Sequence, residues 1–284
     1  MTSNNPEYGT LWRSLLHRYD AGEAQAVVRL LCERVYGLSL ADLLTDGLCR
    51  LPEARRQELA AQVDRLAQGE PVQYVMGEAS FCGRWYRVSP AVLIPRPETA
   101  ELCRWVVGRV GESTPRRILD VGTGSGCIAC TMAAAFPDAA TVAWDISDEA
   151  LAVARDNARE NAVSVTFERR DALAPEVRSG ETWDLIVSNP PYIAPDEKPL
   201  MEPHVVDHEP HQALFVPEDR PLCFYEAIGR YARQTLTRGG SLFFEINPRY
   251  ADDLCRLMAD EGFSDIILQS DQYGRQRFLH LLQP

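Results

Sequence analysis

Positive charge is scarce in this sequence: 29 Lys and Arg stand against 41 Asp and Glu, a formal net charge of −12. A sequence-independent grip on a phosphate backbone is built from clustered basic side chains that release counterions, so direct nucleic-acid binding is not expected. A basic or neutral protein partner suits the acidic balance better. The chain also lacks any apolar run of the ~20 residues that a membrane-crossing helix requires. Its first residues, MTSNNPEYGTLWRSLL, hold neither a basic segment nor an apolar stretch ahead of a small-residue cleavage site. The expectation is a cytoplasmic protein with no membrane partner. Extended low-complexity tracts are absent too, and 45% hydrophobic with 25% charged residues fits an ordinary globular chain.

The eight cysteines follow no disulfide framework in a chain without a secretory signal, which points to reduced thiols. Cys127 and Cys130 make the single C-x-x-C, and no second pair stands at zinc-site spacing. These two fall among small residues of a predicted helix, where thiols pack well. His204, His208 and His211 have the spacing H-x3-H-x2-H, which matches no firm ligand pattern, and Pro203 and Pro210 interrupt a continuous helix. No metal is expected, and this stretch reads as a loop over a substrate cleft.

A length of 284 residues suits two domains. From Leu11 to Leu66 apolar residues recur at helical spacing, broken at Gly22, Gly37, Gly47 and Pro52, with Ser39 and Thr45 placed to cap the third and fourth helices. Residues 1–68 therefore read as a helical bundle without chemistry of its own. Residues 69–97 change to aromatic and β-branched alternation between Gly and Pro, which predicts a hairpin connector. From 98 to 284 strands and helices alternate: RRILDVG, TVAWDI, VTFERRD, WDLIVSNPP and GSLFFEI, with helices between, then DIILQS and RFLHLL. This predicts an α/β domain with a mostly parallel sheet and an antiparallel edge.

The strongest local signal is Asp120-Val121-Gly122-Thr123-Gly124-Ser125-Gly126, directly after the strand ILDV and before a helix. Glycines let the backbone turn tightly and approach a ligand with no Cβ in the way. Asp120 is placed to meet a cation or to order the loop. A dinucleotide fingerprint occupies the same kind of turn as G-x-G-x-x-G. Here the spacing is G-x-G-x-G and Cys127 stands at the third dinucleotide position, which favours a loop of the methyltransferase type with S-adenosylmethionine as cofactor. Asp145 ends the second strand, where a carboxylate can accept both hydroxyls of a ribose; a helix N-terminal acid is the alternative, a role Ser147 or Asp148 could also fill. Asp171 ends the third, near where an adenine amino group would lie, or serves as a strand-end turn residue.

Asn189-Pro190-Pro191-Tyr192 follows the fourth strand. Two prolines fix φ and supply carbonyls without competing N–H donors. The Asn189 side-chain oxygen and the Pro190 carbonyl make two acceptors for one NH2 group. That arrangement suits methyl transfer to a planar nitrogen, which is a poor nucleophile until it is held and aimed. Asn189 also borders the cofactor, and Tyr192 is placed to stack on the planar acceptor.

Together these residues resemble the release factor glutamine methyltransferase (PrmC or HemK) family. GEPVQYVMGEASFCGRWYRVSPAVLIPRPET is similar to that family's connector, DVGTGSGCIA to its cofactor loop, SNPPYIAP to its catalytic turn, and DHEPHQALFVPEDRPLCFYEAI to the segment beyond. The resemblance implies an N-terminal helical domain joined by a hairpin to a Rossmann-like class I methyltransferase domain. It implies methylation of the glutamine in the Gly-Gly-Gln motif of class-1 peptide chain release factors. Gly122 to Gly126 and Asp145 would hold the cofactor, and Asn189, Pro190, Pro191 and Tyr192 the glutamine. Arg96 and Glu98, within R-P-E-T, are assigned to the rim. One departure stands out: many members carry Trp after the third-strand Asp, and this chain has Ala172.

The tetrad also suits enzymes acting on amino groups of nucleic-acid bases, against which stand the acidic balance and the lack of a basic module. A ribosomal protein glutamine would share every motif. A binding module without catalysis, or an NAD-dependent oxidoreductase, is disfavoured by the intact tetrad and by the glycine spacing. A monomer is expected.

Overall fold

The computed structural model describes residues 7–111 and 114–284. They form two compact units: one runs to Glu78 and includes Glu202–His208, and the other comprises Ala79–Met201 and Glu209–Pro284.

The first unit holds helices α1 (Tyr8–Arg13), α2 (Ala21–Tyr36), α3 (Leu40–Leu43), α4 (Gly47–Arg50), α5 (Glu53–Ala67) and α6 (Val72–Met76). Val28, Leu31 and Cys32 of α2 share one buried cluster with Leu59, Val63 and Leu66 of α5, each set at three- and four-residue spacing. Ser39 caps α3 in a reciprocal box with Asp42, as expected. Four sequence expectations are corrected. Gly22 is no break, because Asp20 already caps α2 by accepting the Glu23 N–H at 2.8 Å. Gly47 opens α4 rather than separating helices, and Thr45 caps nothing: its hydroxyl turns back to the Ala41 carbonyl at 2.9 Å. The first stretch of the expected connector is helix α6, whose Val72 and Val75 join the helical cluster, so the unit ends at Glu78 instead of residue 68.

The hairpin follows as β1 (Glu78–Phe81) and β2 (Arg84–Arg87), closed by Cys82 and Gly83 at φ of 47° and 74°. α7 (Pro97–Val110) starts with proline at its first position, where no N–H is needed. Then come β3 (Arg117–Val121), α8 (Cys127–Ala135), β4 (Ala140–Asp145), α9 (Asp148–Glu160), β5 (Thr166–Arg169) and β6 (Trp183–Ser188). Beyond β6 lie a 3-10 turn, Pro195–Leu200, and two short helices, α10 (Pro203–His208) and α11 (His211–Leu214). The chain closes with α12 (Cys223–Thr235), β7 (Leu236–Glu245), a second 3-10 turn (Pro248–Tyr250), α13 (Ala251–Asp260), β8 (Ser264–Ser270) and β9 (Gln276–Leu282).

The main sheet has the order β5-β4-β3-β6-β7-β9-β8, parallel except where β9 runs antiparallel to both neighbours. β6 is apolar through its centre, and β3 is apolar there but for the buried Asp120, because both faces are covered. Leu119, Val121 and Ile186 face one core, while Ile118, Leu185 and Val187 face the other. The chain runs outward from β3 to β5 and then returns to the other side of β3 as β6, which creates a topological switch between these two strands. Their parallel register pairs Val121 with Ser188, and β4 brings Trp144 opposite Val121. Gly122, Asp145 and Asn189 therefore all leave the sheet at one level.

Asn157 ties the hairpin to the glycine loop at this level. Asn157 of α9 is fully buried, accepts the Arg87 N–H at 2.6 Å, and donates to the Arg87 carbonyl at 3.0 Å and the Ser125 carbonyl at 2.8 Å. Replacing it removes the partner of three backbone groups, the buried Ser125 carbonyl among them. Asn157→Ala is expected to lower the unfolding free energy by about 2–3 kcal/mol, read from urea titration.

Candidate functional site

A cavity of about 280 Å³ opens at the shared strand ends, and every residue lining it belongs to the larger unit. One wall is the glycine loop. Gly122 and Thr123 both direct their N–H to the Trp144 carbonyl, at 2.9 and 2.8 Å, which folds the loop back over β4. Gly124 has φ of 52°, a conformation that suits glycine, and its N–H reaches the Asp145 Oδ2 at 2.9 Å. Gly126 has a further reason: a Cβ there would stand 3.0 Å from the Ala154 Cβ of α9.

The Asp145 carboxylate is held on its other side by the Ser147 N–H at 2.9 Å. Burial raises its pKa, and these backbone donors oppose the rise. Ser147, not Asp145, caps α9, accepting the Ala150 N–H at 3.2 Å. Asp145 is thereby free to present its oxygens to the cavity it lines. Asp171 lines the cavity while its Oδ1 also accepts the Leu173 N–H at 2.8 Å, so the turn role and the lining role coincide. Ala172 lines it as well, and the exposed side chains Ile146 and Leu173 border the same region.

The opposite wall is Ser188, Asn189, Pro190 and Pro191. Ser188 donates to the Val121 carbonyl at 2.7 Å, fastening the two strand ends together. Asn189 Nδ2 donates to Thr99 Oγ1 at 3.0 Å, and no described residue donates to its Oδ1. Thr99 donates in turn to Glu245 Oε2 at 2.7 Å, and Tyr192 donates to Glu245 Oε1 at 3.0 Å. Arg96 closes the rim through an ion pair at 2.5 Å with Glu209, which is buried and also accepts the Ile94 N–H at 3.2 Å.

This geometry has relatives. A release factor glutamine methyltransferase of Bacteroides thetaiotaomicron is 43% identical over 267 residues, covering 94% of this chain and 95% of that protein. The chain belongs to the release factor glutamine methyltransferase family. A second relative carrying the same family name, from Flavobacterium psychrophilum, is 35% identical, with 94% of each chain covered. Two family descriptions match along this methyltransferase: the PrmC N-terminal domain over residues 10–77 and the methyltransferase small domain over residues 104–206. The fold is also that of the T. thermophilus 16S rRNA N2 G1207 methyltransferase solved with AdoMet and guanosine, at a TM-score of 0.53, 18% identity and coverage of 73% of this chain and 50% of that one. The chain is thus an S-adenosylmethionine-dependent methyltransferase of class I architecture, with the mostly parallel sheet expected from sequence.

Among the residues named from sequence, Gly122, Thr123, Gly124, Ser125, Asp145, Asp171, Asn189, Pro190 and Pro191 line this methyltransferase's cavity. Asp120, Gly126 and Tyr192 do not. Gly126 acts through close packing, and Tyr192 packs against the core with its hydroxyl on Glu245. Asp120 is fully buried, and its Oδ2 accepts the Thr123 hydroxyl at 2.6 Å and the Ala129 N–H at 3.1 Å. It orders the loop from beneath. The expected loop around His204 to His211 is instead α10 and α11, parted at Glu209-Pro210, and Gln212 and Ala213 line the cavity. Among the described residues no group of three or more His, Cys, Asp or Glu is placed to hold a metal, and no helix is long and apolar enough to cross a membrane. Cys127 and Cys130 are buried in α8, where burial pushes both thiols upward, Cys130 to about 12. Sequence reasoning missed Thr99, Glu245, Asn157 and Glu209. Only Thr99 carried a signal, its place in the R-P-E-T segment.

Burial raises the Asp120 carboxyl to about 7 from an ordinary 3.8, the bonds from Thr123 and Ala129 opposing the rise. A group raised on folding stays protonated in the native state while the unfolded chain releases its proton. Its contribution is full below about pH 4 and is lost as pH rises towards 7, by up to about 1.4 kcal/mol per pH unit. In Asp120→Asn, whose amide oxygen can take both bonds, the fall in stability between pH 4 and 7 is expected to be shallower, as measured by denaturant titration across that range.

Proposed function

We propose that this cavity brings S-adenosylmethionine and the glutamine side chain of a Gly-Gly-Gln motif together, so that N5 of that glutamine in a class-1 release factor is methylated. The observation that carries the reading is the pairing of Val121 with Ser188, from which a glycine loop and an Asn-Pro-Pro-Tyr turn leave as opposite walls of one cavity.

The residues present fit the cofactor. Asp145 offers two carboxylate oxygens for a ribose diol, the glycine loop offers close backbone approach, and Ile146, Ala172 and Leu173 offer apolar surface for an adenine that has no Trp to cover it. Bound there, S-adenosylmethionine supplies a methyl group on a sulfonium, an electrophile needing no metal. Asn189 Oδ1 and the Pro190 carbonyl accept the two hydrogens of the glutamine NH2, holding the nitrogen so that its weak lone pair is aimed. The turn contributes no N–H at Pro190 or Pro191 to compete. Tyr192 anchors the turn through Glu245. The methyl would pass to the held nitrogen with the sulfonium sulfur as leaving group, and the extra proton on that nitrogen would go to solvent afterwards, so no strong base is called for.

The two walls separate by mutation. Asn189→Ala should leave cofactor affinity near normal and lower turnover at least ~100-fold. Asp145→Ala should mainly weaken cofactor affinity, measured by calorimetry. Labelled cofactor with release factors carrying Gln or Ala in Gly-Gly-Gln checks the acceptor. Equal labelling of both, or full turnover by a folded Asn189→Ala enzyme, removes the reading.

The helical unit contributes no cavity-lining residue, and in this proposal it is the surface that selects the release factor, in a cytoplasmic monomer. Deleting the residues before Ala79 should spare cofactor binding while slowing transfer to the whole factor; unchanged transfer to the whole factor would refute the assignment.

A further inference from the structure

We propose that Thr99 and Glu245 set which end of the Asn189 carboxamide faces the cavity, and so act as positioning residues for methyl transfer. The inference deepens the function proposed above and rests on Asn189 serving there as an acceptor.

A carboxamide has a donor end and an acceptor end of nearly the same shape, so sterics alone hardly choose between its two orientations. The choice is made by the partner. Thr99 is 3% exposed, and its hydroxyl has one proton, which goes to Glu245 Oε2 at 2.7 Å. The lone pairs left on Thr99 Oγ1 can only accept, and Asn189 Nδ2 donates to them at 3.0 Å. With its donor end spent, Asn189 turns Oδ1 to the other side. Glu245 is 1% exposed and receives a second hydroxyl, that of Tyr192, at 3.0 Å. Two donors converging on one carboxyl group suit the ionised form, which can only accept. Burial raises the Glu245 pKa, and the bonds from Thr99 and Tyr192, with Arg277, oppose that rise and favour the ionised form.

Reversing the Asn189 amide has two costs. Thr99 would have to turn its proton towards Asn189, leaving a buried carboxylate with one donor fewer. The amide NH2 would then face the NH2 of the incoming glutamine, donor against donor. A carboxylate that does not line the cavity thereby dictates that the site accepts hydrogens from its substrate. This selects a primary amide over any group that presents only acceptors.

The test uses the full-length enzyme with a release factor carrying Gly-Gly-Gln, and reads kcat, KM for the factor, cofactor Kd and Tm. Thr99→Val keeps the shape without the hydroxyl and should lower kcat by about 10-fold or more with cofactor Kd unchanged. Thr99→Ser restores the hydroxyl and should return kcat to within about 3-fold of wild type. Because both changes strike one device, Thr99→Val combined with Asn189→Ala should fall no further than Asn189→Ala alone, within about 2-fold. Wild-type kcat in Thr99→Val beside a large loss in Asn189→Ala would overturn the positioning role and leave the acceptor reading intact. Full activity in Asn189→Ala would sink both. If Thr99→Val no longer binds cofactor, Glu245→Gln carries the test: it keeps the shape and exchanges an acceptor for a donor, so kcat should again fall about 10-fold or more. Wild-type kcat there would overturn the proposal.

Discussion

The pairing of β3 with β6 is the constraint on which the site depends. These strands lie far apart in sequence, and each alone is only an apolar run that ends in a turn. Hydrogen-bonded in parallel with Val121 opposite Ser188, they deliver the backbone of Gly122 and the side chain of Asn189 to one level. The bond from Ser188 to the Val121 carbonyl locks that level from within. A parallel sheet cannot slip by one residue here without turning an apolar set out of its core. The separation of the two walls is therefore inherited from the two hydrophobic cores beneath.

Around this level, buried carboxylates act as hubs. Asp120 organises the glycine loop from below, Glu245 gathers Thr99 and Tyr192, and Glu209 joins Arg96 to the Ile94 backbone. Glu245 and Glu209 take donors from segments remote in sequence, whereas Asp120 takes them from the loop and helix that directly follow it. Burying a carboxyl group is costly unless its acceptor capacity is used, so each hub strongly favours the one arrangement that brings all its donors in. The walls gain rigidity before any ligand arrives, which reduces the ordering that binding must supply.

What could be read from sequence was what is local. The glycine loop was legible because its spacing has a backbone reason, and the strands were legible because fully covered strands leave continuous apolar runs. The tetrad was legible because two prolines beside an asparagine have few structural uses. Thr99, Glu245, Asn157 and Glu209 were hidden because their partners lie tens of residues away, Thr99 and Glu245 being 146 apart. The boundary near residue 78 was misplaced for a related reason: α6 is too short to show a period, and only its packing declares it helical. Thr45 failed as a cap because its hydroxyl could reach a carbonyl in the preceding turn, a competition that composition does not reveal.

The contact between Gly126 and Ala154 extends the glycine loop's packing to a residue that does not line the cavity. Ala154 sits on α9, fully buried, with its methyl filling the space a side chain at 126 would need. A bulkier residue at 154 would press on the loop through bare backbone, and the lesion would surface as poor affinity for a molecule that position never meets. Positions 126 and 154 thus share one volume, and a gain in size at either must be met by a retreat of the helix pair α8 and α9.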